Sequence, residues 1–356
     1  MIVVLAALIG PAGADASPPE ATDFSQRLGG FDRAGAAHEH HDYRSEVLKA
    51  PARFDLAGLG GETRETELRA RIKGGEWTDW TETANGDPVW FGGMDELQIR
   101  THDWKPSGRV HYVKVTEGSA DTARASVRGD GGKPSVISRR QWGANKKSGG
   151  CKPRRNPDYG KVKAASVHHT VSAVNYSESE AKGLVLGICR FHRNSNGWDD
   201  IGYSTLVDRF GNIYEGRAGG LGRAVVGAHT QGVNAQTTGV AVLGTHSSNP
   251  VSRAGLSGVA KWLAWKLPEH GLNANGRVRL KSAGGDTARY PAGTRFRVQR
   301  IFGHKKSNFT ECPGNALSGQ LPKLRDKVAR KIGSGSGSGG SGDGGGGGGG
   351  GGGGVG

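Results

Sequence analysis

Two short apolar runs, "ASVHHT" at 165–170 and "TTGVAVLGTH" at 237–246, constrain the fold of this chain most, because both read as short buried strands. Between them stands "SESEAKGLVLGICRFHRN" (177–194), with apolar residues at helical spacing behind Ser and Glu residues fit for an N-cap and first turn. "STLVDRFGNIYEGR" (204–217) reads as a hairpin turning at Phe210-Gly211-Asn212. "RAGLSGVAKWLAWKLPEHGL" (253–272) reads as an amphipathic helix stopped near Pro268. Strands alternating with helices predict an α/β domain over residues 136–333, a mixed β-sheet flanked by helices. No glycine-rich phosphate loop accompanies them, which argues against a nucleotide cofactor.

The ends of the chain have other signatures. Residues 1–16 are an apolar run closing on Ala14-Asp15-Ala16, the pattern of a signal peptide and its cleavage site, and far short of a membrane span. The Gly-rich stretch 334–356 has no side chains to bury and reads as a disordered tail. Residues 17–45 are polar, without a sustained period, and read as a linker whose "HEHHDY" tract is a solvated run. "TELRARIKGGEWTDWTET", "DELQIRTHDW" and "GRVHYVKVTEG" predict a separate, small, all-β sandwich-like domain over 46–117, joined by a linker at 118–135. Trp77, Trp80, Trp90 and Trp104 either fill its core or line a glycan-binding face.

Net charge is +15 and the isoelectric point near 9.9, so polyanions are natural partners. The basic residues are interspersed with acidic ones and no nucleic-acid motif is present, which disfavours specific nucleic-acid binding. An export signal makes an anionic wall polymer the better candidate. The cysteines number three, Cys151, Cys189 and Cys312, an odd count for an exported chain. Cys151 and Cys189 could close a disulfide; Cys312 then needs another role. With His168 and His304 it forms a plausible two-histidine, one-cysteine zinc site that keeps a position open for water.

The motifs "ISRRQWGA", "SVHHT", "GWDDIGYSTLVDRFGNIYEGR", "GAHTQGVNAQTTGVAVLG" and "GHKKSNFTECPG" follow one another between 137 and 314. In that order they closely resemble the peptidoglycan recognition protein family, which shares its fold with phage-type zinc N-acetylmuramoyl-L-alanine amidases. The resemblance implies that His168, His304 and Cys312 hold one Zn2+ per chain. It implies that Tyr203 is the active-site tyrosine, and that Thr310 stands where phage-type members carry lysine. His229 and Asn234 match positions lining the substrate groove. Arg217 is a candidate for the peptide carboxylates of the substrate, with an ion pair to Asp208 or Glu215 as its structural alternative. A Cys151–Cys189 disulfide is consistent with the family. Non-catalytic members lose the cysteine ligand and this chain keeps it, so an enzyme acting on bacterial peptidoglycan is implied, secreted or held at the cell wall without a transmembrane anchor. The alternative is a non-catalytic peptidoglycan-binding module. His192, His246 and His270 show no partner pattern and read as ordinary surface or helix-end residues, while His169 should face away from the site.

Overall fold

A computed structural model describes residues 17–34, 42–60, 66–83, 86–118, 132–172 and 174–335. The signal-peptide reading, most of the second linker, His38 to His41 and the tail beyond 335 lie outside the described residues.

The first sheet has eight strands: β1 (Glu20–Arg27), β2 (Phe31–Ala34), β3 (Asp42–Ser45), β4 (Leu48–Leu59), β5 (Thr66–Arg71), β6 (Thr81–Glu82), β7 (Val89–His102) and β8 (Arg109–Thr116). Its order is β1-β8-β4-β7-β3-β2, with β5 also on β7 and β6 on β5, and the pairings are antiparallel. This corrects the linker reading of 17–45, since three strands lie within it. Their apolar signal is weak for a physical reason: β1 is an edge strand in which only Ala21 is buried, so no alternation marks it. On β8 the period of two is clear. Val110 and Tyr112 join one core with Phe54, Leu97 and Ile99, while Val113 and Val115 face the other way.

The second sheet comprises β9 (Ala164–His169), β10 (Thr205–Val207), β11 (Ile213–Glu215), β12 (Thr237–Val242) and β15 (Ile301–Gly303), in the order β11-β10-β12-β9-β15. Only β10–β11 is antiparallel. β9 and β12 are buried at every residue, as strands covered on both faces must be. Helices α2 (Arg253–Lys266) and α3 (Asn315–Gly335) cover one face, and β13 (Arg277–Lys281) pairs with β14 (Arg295–Gln299) as a separate ribbon. The helix over the other face is α1 (Glu178–Asn194), opened by a Ser177/Glu180 capping box. It lies between the two sheets: Leu184, Ile188 and Phe191 share a core with Ala21, Leu56, Val113 and Val115 of the first and Leu206, Tyr214 and Ala241 of the second. Gly183 and Gly187 allow that approach, because a Cβ there would lie 2.8 Å from Val115 and 2.5 Å from Leu56 respectively. The β-region is therefore not set apart from the α/β region but packed onto it. Among the described residues no helix is long and apolar enough to cross a membrane.

Candidate active site

Strand pairing assembles the site. Parallel register of Ile301–Gly303 on Ala165–Val167 brings His168, at the end of β9, beside His304, just past β15. Their rings lie 4.4 Å apart. Cys312 arrives on the following loop, which is closed by the Lys305 N–H donating to the Cys312 carbonyl (2.9 Å) and the Cys312 N–H donating to Thr310 Oγ1 (3.0 Å). The Sγ atom is 3.7 Å from His168 Nδ1, and one ligand atom from each of the three residues falls within 4.8 Å of the others, all buried.

The donor set fits a zinc ion on two grounds. Both ring nitrogens of His304 are buried with no hydrogen-bond partner, a costly state that a metal bond on one of them relieves. His168 Nε2 is in turn 3.1 Å from His229 Nδ1 and 3.3 Å from Thr230 Oγ1, which fixes the ring and leaves Nδ1 toward Cys312. Burial holds the imidazole of His168 neutral far below the usual range and lowers those of His304 and His229 to about 3, so the rings keep their lone pairs. The Cys312 thiol is pushed up, chiefly by burial and further by Asp87 and Glu82; a cation in the cluster would reverse this.

Tyr203 is 4% exposed, its ring 5.2 Å from that of His168. The segment before it is held by Asp200. Asp200 accepts from the N–H groups of Ile201 and Ala218 (2.8 Å each) and pairs with buried Arg139 at 3.0 Å. Cys151 and Cys189 are bonded to one another, and Arg139 donates to the Cys151 carbonyl at 2.7 Å, so the disulfide and this ion pair brace the same corner.

The other sequence candidates fall as follows. Asn234 Oδ1 accepts from the N–H groups of His229 and Thr230 (2.9 and 2.8 Å), holding the loop that carries His229. Gly239 leaves room for that ring, since a Cβ there would lie 2.5 Å from His229 Cγ. Arg217 pairs neither with Asp208 nor with Glu215; it donates to the Ile201 carbonyl at 3.2 Å and lies 3.9 Å from Asp199. Asp208 instead organises the β10–β11 turn, accepting from Phe210 and Asn212 N–H and the Tyr214 hydroxyl. His169 faces away and receives the His246 N–H at 3.1 Å. His192 lies in the last turn of α1, as a helix-end residue, but is fully buried, and His246 is buried too, contrary to a surface reading. His192 Nε2 is 2.6 Å from Asp87 Oδ1, and the Tyr203 hydroxyl donates to Asp87 Oδ2. Asp87 had no signal of its own in the sequence. A cleft of about 800 Å³ opens between the two sheets, lined by Trp80, Trp90, His169, Ser172, Asn249 and Cys312 among others.

Fold and site together define a class, an α/β protein with a buried His-His-Cys cluster at the carboxyl end of its central strands. Residues 158–315 match the Amidase_2 family model, N-acetylmuramoyl-L-alanine amidase, and the chain carries an Amidase_2 domain. Its relatives include peptidoglycan-recognition protein SC2 of Drosophila melanogaster, 28% identical over 188 residues that span 52% of this chain and 84% of the relative. The N-acetylmuramoyl-L-alanine amidase of Sus scrofa is 31% identical over 192 residues, 53% of this chain but only 27% of that protein. Among solved structures, peptidoglycan recognition protein-LE in complex with tracheal cytotoxin aligns with a TM-score of 0.42 and 26% identity, over 53% of this chain and 92% of that one.

Proposed function

We propose that this protein is an exported zinc-dependent N-acetylmuramoyl-L-alanine amidase, hydrolysing the amide between N-acetylmuramic acid and L-alanine in bacterial peptidoglycan. The observation that carries the reading is the buried cluster of His168, Cys312 and a His304 whose ring nitrogens have no other partner, inside an Amidase_2 domain. Zinc, when bound, supplies a Lewis acid for the amide carbonyl and makes water a nucleophile near neutral pH. His168, His304 and Cys312 would hold it, and His229 and Thr230 orient His168. Tyr203 lies against His168 and is placed to position the attacking water. Thr310, by receiving the Cys312 N–H, shapes the ligand loop. The net charge of +15 favours retention on an anionic wall.

The test is release of soluble peptide from purified peptidoglycan by wild type, chelated protein and Cys312→Ala. New N-terminal L-alanine from wild type alone supports the amidase. Wall binding by folded, zinc-loaded protein without any such terminus rejects it and leaves a recognition module.

A further inference from the structure

We propose that Asp87, on the loop that leads into β7 of the first sheet, is a positioning residue for the amidase chemistry: it takes the Tyr203 proton into a hydrogen bond and so turns the lone pairs of the phenol toward the reacting water. This rests on the amidase reading above.

The direction of each bond follows from its neighbours. The Gly202 N–H donates to His192 Nδ1 at 3.2 Å, so the neutral ring carries its proton on Nε2. That Nε2–H donates to Asp87 Oδ1 at 2.6 Å. The other oxygen, Oδ2, accepts the Tyr203 hydroxyl. A phenol has a single proton, and here it is committed to Asp87. Tyr203 therefore faces the site as an acceptor, able to receive a hydrogen bond from water and unable to donate one to a carbonyl oxygen that is gaining charge. Of the two roles open to a tyrosine beside a hydrolytic centre, the hydrogen-bond chain selects water orientation.

Asp87 is held there from both sides. Asn196 Nδ2 donates to the carbonyl of the preceding Gly86 at 2.8 Å. Three residues on, Trp90 of β7 bridges Ser172 in the loop after β9. Asp87 is only 6% exposed. A buried acid that receives two side-chain donors from the other sheet's region, one of them beside a candidate ligand, makes the active site a product of both sheets.

The test uses the full-length zinc-loaded protein with Asp87→Asn, Tyr203→Phe and the double variant. In Asp87→Asn the amide oxygen stays with His192 Nε2–H, and the amide N–H groups face Tyr203, forcing its proton away. We expect kcat to fall at least about 10-fold with KM unchanged, zinc content and wall pelleting equal to wild type, and no further loss when Asp87→Asn is added to Tyr203→Phe. A readout independent of activity is the tyrosine Fermi doublet in ultraviolet resonance Raman spectra, taken as the difference between each parent and its Tyr203→Phe variant. It should report a strong donor in wild type and an acceptor in Asp87→Asn. An unchanged doublet, additive losses in the double variant, or an Asp87→Asn enzyme as fast as wild type overturns the proposal. An inactive zinc-loaded wild type overturns the amidase reading and the positioning role together, a result recognisable before any variant is compared.

Discussion

His229 illustrates how one side chain can belong to a site without meeting the ligand. Its Nδ1 contacts His168 Nε2, and Gly239 makes room for the ring. Replacing an outer partner of a metal-binding histidine usually costs about 10–100-fold in metal affinity. His229→Leu should therefore loosen zinc by that factor in a chelator competition, with no change expected if the contact is incidental. His169 makes a separate prediction through its charge. Burial lowers its imidazole to about 3, whereas an unfolded histidine titrates near 6.5. Between those values the unfolded chain binds more protons, so stability rises with pH and is lost as pH falls from about 6.5 toward 3. Melting temperature should drop across that window, and His169→Gln should make the slope shallower. Much of this site is legible in the sequence, because the ends of β9 and β15 and the loop carrying Cys312 each hold their residue within a short motif. Asp87 was illegible for the opposite reason: its partners, His192 and Tyr203, lie on a helix and a loop more than a hundred residues downstream, and no local period points at them.

At the scale of elements, α1 decides how the two sheets meet. Its capping box and apolar spacing are local properties and can be read from the residues alone. That its second face serves the first sheet is a tertiary fact, marked only by glycines at positions 183 and 187. Adding bulk there forces β4 and β8 outward. Gly187→Val should destabilise by about 1–3 kcal/mol, the range for overpacking a filled core, read by urea unfolding. Unaltered stability would show that the sheet yields freely. β1 escaped a sequence reading because an edge strand with one buried residue has no pattern to show, whereas β9 and β12 declared themselves by uninterrupted burial.

For the molecule as a whole, the Cys151–Cys189 bond spans a sequence separation of 38. Chain entropy gives such a closure about 4 kcal/mol, so the Cys151→Ala/Cys189→Ala variant should lose that order of stability in denaturant. Its melting should coincide with that of wild type under reducing conditions. The packing of the first sheet also dictates an order of events. β1 and β8 pair from Glu20 to Thr116, so that sheet can close once the chain has emerged to Thr116, whether from a ribosome or from a secretion pore. The helix that covers Leu56, Val113 and Val115 does not begin until Glu178. For that interval a half-built protein displays an oily surface that only its own unfinished remainder can cover, which makes it a natural client for a holding chaperone and the stage at which a stalled chain would aggregate.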